Sequence, residues 1–161
     1  MDVLTPEQRR RNMRSIRAHD TKPEMLVRKG LHAAGFRYRL HGRDLPGSPD
    51  LILPRYRSVV FVHGCFWHGH ECRFFKVPET RRDFWLRKIT LNQGRDARVQ
   101  EALHQMGWRV AIVWECSLKG PGRLGTDQVV QRCQEFLLAQ SQKTLEVRGD
   151  SHVMSSLQLI R

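Results

Sequence analysis

Two short segments constrain this chain more than any other. The first, Leu45-Pro46-Gly47-Ser48-Pro49-Asp50-Leu51-Ile52-Leu53, passes from a turn-rich stretch into an apolar run that opens on a carboxylate. The second is Val59-Val60-Phe61-Val62-His63-Gly64-Cys65-Phe66-Trp67-His68-Gly69-His70-Glu71-Cys72, an apolar run followed at once by imidazoles, thiols and rings. Asp50–Leu53 and Ser58–His63 read as two strands joined by Pro54-Arg55-Tyr56-Arg57, and so as a hairpin. Val59–Val62 is apolar at every position, which suits a central strand buried on both faces. The hairpin thus sets a carboxylate at the mouth of one strand and a chemically dense loop just past the next.

The flanking segments complete an α/β pattern. Thr5-Pro6-Glu7-Gln8 is a capping box with proline at the first helical position, predicting a helix from 5 to about 18. Arg10, Arg14 and Arg17 share one face of it, either a solvated basic face or an arm that tracks phosphates. Thr21-Lys22-Pro23-Glu24 repeats the signature, and Gly35 is a natural stop. Phe36–Leu40 alternates as a half-buried strand does. Thr80 is a candidate cap for a long helical region reaching Met106, with an interruption at Gly94. Arg109–Trp114 reads as another buried strand, and Thr126 or Asp127 starts a last helix to Ala139. A strand that follows a long helix can return parallel to the earlier one by a right-handed crossover. The expected fold is a mixed central sheet flanked by helices, a single domain over 1–139. Residues 140–161 read as a weakly patterned, loosely attached tail.

Composition narrows the partners. The 161 residues carry 28 Lys and Arg against 16 Asp and Glu, a net charge of +12. That surplus attracts polyanions, nucleic acid first among them. No apolar stretch reaches the roughly twenty residues that span a bilayer, and the amino terminus lacks the apolar core of a signal peptide. A cytoplasmic protein is expected, so its four cysteines are ligands or core residues before they are disulfides.

Cys65, His70, Cys72 and Cys116 make a Cys₃His set for tetrahedral zinc, and four protein ligands would make that zinc structural. Reduced core cysteines are the alternative, and His68 is an alternative to His70 as ligand. Cys133 falls inside the amphipathic last helix. Asp50 suits Mg²⁺, with a backbone carbonyl from the strand a dozen residues on and Glu24 as a further carboxylate. Local sequence alone favours Glu24 as the third helical residue of the Thr21 cap. His63 and His68 can move a proton or hold a phosphate, or can be satisfied turn histidines. Phe66, Trp67 and Trp85 are either core or wedges between base pairs.

These residues resemble the very-short-patch-repair (Vsr) mismatch endonucleases of bacteria. The match includes Asn12-Met13-Arg14, Asp20-Thr21, Leu45-Pro46-Gly47, Pro49-Asp50, His63-Gly64-Cys65-Phe66-Trp67-His68, Phe75-Lys76-Val77-Pro78, Thr80-Arg81, Phe84-Trp85, Gly107-Trp108-Arg109-Val110 and Val113-Trp114-Glu115-Cys116. The resemblance implies a fold related to the PD-(D/E)xK nucleases with a structural Zn²⁺. It also implies Mg²⁺-dependent nicking of one strand 5′ of the thymine in a T:G mismatch, initiating very short patch repair of deaminated 5-methylcytosine. Asp50 and the Val62 carbonyl would hold Mg²⁺, and Phe61-Val62-His63 stands where the wider superfamily has Glu-x-Lys. His68 would be the catalytic histidine, supported by His63 and Glu24, a role that Glu24 can combine with capping. Cys65, His70, Cys72 and Cys116 match zinc ligands. Phe66, Trp67 and Trp85 match intercalating aromatics, and Met13 a wedge from the first helix beside Arg14. Gly69 departs from relatives with a histidine-richer loop, which favours His70 as ligand; the chain beyond Ala139 matches poorly. The implied partner is double-stranded DNA with a T:G mismatch, bound by a monomer. Mismatch-repair proteins and a repair DNA polymerase are further candidates. Two rival readings are a nickase of this type with another target and a zinc-stabilised DNA-binding module without catalysis.

Overall fold

A computed structural model describes residues 4–16 and 18–150. Its helices are α1 (Pro6–Ser15), α2 (Lys22–Ala33), α3 (Arg82–Gln105) and α4 (Thr126–Ala139). Its strands are β1 (Arg39–Leu40), β2 (Leu51–Leu53), β3 (Ser58–His63), β4 (Arg109–Trp114) and β5 (Thr144–Val147). They form one sheet in the order β1-β2-β3-β4-β5. The first three strands are antiparallel, and β3, β4 and β5 run parallel. Among the described residues no helix is long and apolar enough to cross a membrane.

The two-residue period of β3 and β4 divides the core. Val60, Ala111 and Val113 pack with Val27 and Leu31 of α2 and Val129, Cys133, Phe136 and Leu137 of α4. Val59, Phe61 and Val110 face the other way, against Leu103 of α3, Trp108 and Leu45. Helices on both faces explain why these strands read as continuous apolar runs. Where β3 pairs with β4, Val62 lies beside Val113 and His63 beside Trp114. The C-terminal ends of both central strands therefore arrive together, which positions the loop 64–72 and Cys116.

Several expectations need correction. The capping box at Thr5 is formed, but α1 ends at Ser15, where Ile16 turns extended; Arg17 lies outside the described residues. The alternating segment 36–40 pairs only at Arg39–Leu40. Thr80 does not cap α3: Arg81 occupies the N-cap in a left-handed conformation without a side-chain cap. Nor does Gly94 break that helix, which runs unbroken for 24 residues. One glycine costs about 1 kcal/mol relative to alanine, too little to outweigh a long packed helix. The loosely attached tail contains β5, the edge strand, with Leu145 beside Ala111 and Val147 beside Val113. Residues 151–161 lie outside the described residues.

Arg109 ties β4 to α4. Its guanidinium donates to the carbonyls of Phe136 at 2.7 Å and Leu137 at 3.0 Å, and lies 4.6 Å from the Phe136 ring centroid. Those carbonyls belong to the last turn of α4, where no intrahelical donor remains. Arg109→Ala should therefore cost about 1–3 kcal/mol, read as a lower denaturant midpoint at unchanged slope. Arg109→Lys should recover only part of it, because an ammonium lacks the planar fork. An alanine variant as stable as the parent would show that water satisfies these carbonyls equally well.

Candidate active site and metal cluster

Asp50 sits one residue before β2, where the chain leaves the Leu45–Pro49 turn. Its Oδ2 accepts the Val62 N–H at 2.7 Å, so the hairpin register locks carboxylate and strand together. Burial pushes the Asp50 carboxyl up to about 6; the Val62 N–H opposes this and the nearby Glu24 adds to it. A desolvated carboxylate with a second carboxylate close by has the donor chemistry a hard divalent cation takes, so the residues fit that ion.

Glu24 is 1 % exposed. The Thr21 hydroxyl accepts the Glu24 N–H, as a cap should. The Glu24 carboxylate does not complete the box. It accepts the Asp20 N–H at 3.0 Å, with Arg28 at 3.4 Å and His41 Nε2 at 3.6 Å from its other oxygen. Capping and a place in a buried polar network coexist in this side chain. His41 was not a sequence candidate; it belongs to a turn and has no motif around it.

Two imidazoles stand beside Asp50. His63 and His68 stack with ring centroids 3.7 Å apart and planes 1° from parallel. His63 is buried, its Nδ1 has no hydrogen-bond partner, and burial followed by the neighbouring His68 depresses its pKa to about 3. It is a neutral imidazole at any physiological pH. His68 Nδ1 lies 2.6 Å from Asp96 Oδ2 on α3. That carboxylate orients the ring, leaving Nε2 as the nitrogen that can exchange a proton. Asp96 escaped the sequence reading because it lies 28 residues from its partner, on an unremarkable charged helix. Asp50, Val62, His63, His68 and Asp96 line a cavity of about 570 Å³, with His19, Ser48 and Arg95 at its walls.

A second constellation lies beyond the same loop. Ligand atoms of Cys65, His70, Cys72 and Cys116 all fall within 4.8 Å of one another. Cys116 Sγ is 3.6 Å from His70 Nδ1 and accepts the Gly149 N–H at 3.3 Å. The hydrogen-bonded Cys65 thiol favours a thiolate at Cys116, whose pKa falls to about 5, while the Cys65 thiol is pushed up. Three thiols and an imidazole, with Cys65 and Cys116 buried, fit a four-coordinate soft metal. Of the two histidines open to this role, His70 joins the thiols and stacks on Trp114 at 4.3 Å, while His68 turns to Asp96. Cys133 lies apart, in the core under α4.

Between these sites the loop presents its rings. Phe66, Trp67 and Trp85 meet edge to face, 5.2, 5.6 and 6.0 Å apart, and are only partly buried. The Lys88 ammonium lies 5.4 Å from the Trp67 ring and 5.7 Å from that of Trp85. These rings are a surface cluster beside the cavity rather than core. Met13 is 40 % exposed, and α1 buries none of its residues. This helix is polar and basic, with Arg14 in its last turn.

Known proteins are similar to this chain in sequence. The family profile described as DNA mismatch endonuclease Vsr matches residues 1–74. A protein of Xanthomonas oryzae pv. oryzae, named Type II nicking enzyme V.XorIIP, is 52% identical over 76% of this chain and 90% of its own length. The DNA mismatch endonuclease Vsr of Escherichia coli is 44% identical over 84% of this chain and 87% of its own. Type II nicking enzyme V.NmeAIP of Neisseria meningitidis is 47% identical over 73% and 84%. With such identity spread over nearly the whole of these relatives, the chain belongs to the Vsr family of DNA endonucleases.

Proposed function

We propose that this protein nicks one strand of duplex DNA 5′ of the thymine in a T:G mismatch and so starts very short patch repair of deaminated 5-methylcytosine. The observation that carries the reading is a juxtaposition. One loop, residues 64–72, bears the half-buried rings of Phe66 and Trp67, the oriented imidazole of His68 and the thiol and imidazole donors of the candidate metal cluster. A mispaired step costs less to unstack than a paired one, so ring insertion selects it energetically. Met13 and Arg14 on α1 would grip the duplex from the arm, Met13 as a second wedge and Arg14 on phosphate. The chain acts as a monomer in the bacterial cytoplasm, at the nucleoid. Its products pass to a repair polymerase, with mismatch-repair proteins as partners.

In the chemical step Asp50 and the Val62 carbonyl would hold Mg²⁺, which when bound polarises the phosphate and acidifies water. His68 Nε2 takes the proton from the attacking water, and Asp96 stabilises the imidazolium that forms; as the water oxygen bonds to phosphorus the P–O3′ bond breaks, and the departing 3′ oxygen takes a proton from solvent to leave a 3′-hydroxyl and a 5′-phosphate. His63, held neutral, stacks beneath His68 and fixes its plane. Glu24, tied to Asp20 and Arg28, faces the same charged centre. Zn²⁺ on Cys65, His70, Cys72 and Cys116 would hold the loop rigid. A second reading has a specific support: several relatives are named Type II nicking enzymes, and on that reading the same machinery would act at another target sequence. Matched and T:G duplexes of varied context, with the cut strand mapped, separate the two.

Asp50→Asn tests the metal site by two opposed effects. Nicking should vanish. Stability without divalent metal should rise, because the folded pKa of about 6 lies above the ordinary 3.8 and the folded state holds that proton more tightly than the unfolded. Wild-type stability thus declines as pH climbs between those values and stays lower above them. The asparagine variant should gain about 1–3 kcal/mol at pH 7 and nothing below about pH 4. An active Asp50→Asn enzyme would overturn the assignment.

For the cluster, elemental analysis should find one zinc per chain, and Cys116→Ser should lose it and melt earlier. A wild type purified without zinc, and unmoved by a chelator, would refute the structural-metal role.

Trp67→Ala should weaken T:G duplex binding by about 1–3 kcal/mol and matched duplex by less, whereas Arg14→Ala should weaken both equally and flatten the salt dependence. Equal losses for Trp67→Ala would make the ring a general anchor instead of a mismatch probe.

A further inference from the structure

The cavity around Asp50 must receive a phosphodiester, yet its chemistry is dominated by carboxylates and imidazoles. Asp50, His63, His68 and Asp96 all line it, and among the described residues around it Arg95 is the one arginine or lysine. Arg95 is exposed, one residue before the carboxylate that orients His68. Its Nη2 donates to Asn92 Oδ1 at 3.0 Å. The Asn92 amide in turn donates to the main-chain carbonyl of Trp67 at 2.8 Å. One turn of α3 therefore holds three things at once: the cation at the cavity wall, the main-chain carbonyl of the half-buried Trp67, and the imidazole through Asp96.

We propose that Arg95 binds the scissile-strand phosphate, and that Asn92 couples this contact to the seating of Trp67. The inference rests on the reading of the cavity as the cleavage site. A guanidinium presents paired donors to a phosphate and stays charged throughout, so it is suited to the negative charge that develops on the phosphoryl oxygens. Arg95 makes no covalent bond and transfers no proton. Asn92 is a positioning residue: its amide is oriented by two partners, so moving the Trp67 backbone moves the anchor of the guanidinium. Rings seated in a mismatch would then hold Arg95 over the phosphate, and rings left unseated would not.

Two measurements test this on the full-length, metal-loaded protein. The first is single-turnover nicking of T:G duplex at saturating protein with Mg²⁺. Arg95→Ala should slow it on the order of a hundredfold, with its melting temperature unchanged because the side chain is exposed. Arg95→Lys should recover part of the loss. Asn92→Ala should slow nicking, and Arg95→Ala combined with Asn92→Ala should be no slower than Arg95→Ala alone, since the second residue acts through the first. The second is binding, without turnover, to a T:G duplex already nicked at the thymine, with and without a 5′-phosphate there. The wild type should prefer the phosphorylated nick by about tenfold, and Arg95→Ala should lose that preference. Arg95→Ala nicking at the parental rate, or keeping the phosphate preference, overturns the proposal; fully additive losses overturn the role of Asn92. A wild type that nicks no duplex would sink the reading of the cavity, while the phosphate preference would still decide the fate of Arg95.

Discussion

Everything at the site depends on the parallel pairing of β3 with β4. Because Val62 lies beside Val113 and His63 beside Trp114, the two longest strands end level with one another. The residues just past those ends, Cys65 and Cys116, are thereby forced into one small volume. Parallel neighbours cannot be joined by a tight turn and need a long crossover. Here α3 supplies it, and the crossover is put to chemical use. Asn92, Gln93 and Asp96 reach the Trp67 carbonyl, the Gly69 carbonyl and the His68 ring. A loop between two strand ends would ordinarily be mobile. This one is gripped by donors from a helix on one side and by a thiol cluster on the other.

The polar groups at the site are held at an energetic cost. Asp50 is kept where its charge is disfavoured, and His63 where it cannot be charged. Glu24 is almost fully enclosed, relieved by Arg28 and His41. Buried ion pairs of this kind seldom add net stability, because desolvation offsets their attraction. Their retention beside a cavity makes sense as preorganisation: dipoles and charges already in place need no rearrangement when a phosphate arrives. The stability that supports them comes from elsewhere, chiefly the aliphatic layer between β3, β4, α2 and α4.

What the sequence disclosed follows from the range of the interactions. Capping at Thr5 and Thr21, the hairpin, the buried strand Arg109–Trp114 and the crossover are local or nearly so, and each was legible. Cys65, His70 and Cys72 were readable as donors because they sit within one loop. Cys116 was readable because it follows a strong strand, and its meeting with them needed only that this strand pair with β3. Asp96, Asn92 and His41 were not legible, since each gains its meaning from a contact across the fold and none has a local pattern. β5 was missed for a related reason. Thr144–Val147 is short, and only its pairing with β4 makes it a strand. The choice between His68 and His70 also lay beyond spacing: in the fold Asp96 of α3 reaches His68, and His70 gathers with the thiols.

Trp67, His68 and two residues of the thiol–imidazole cluster share a segment of only a few residues, and under the proposed function this sets how recognition and chemistry would be linked. Between Trp67 and His68 there is one peptide bond, so the rings cannot be displaced far without carrying the imidazole along. Asp96 and the His63 stack resist that displacement on one side, and Cys65 and His70 resist it on the other. A rigid loop gives up little conformational entropy when its rings enter a duplex, whereas a flexible one would give up part of the stacking energy on ordering. Rigidity also makes the outcome sharper. Under the proposed function a matched base step would resist opening and keep the rings outside, whereas a mismatched step would admit the loop as one unit and bring His68 to the backbone. Discrimination would then come chiefly from the cost of unstacking the substrate, with only the local adjustment that carries Trp67 and Arg95 together.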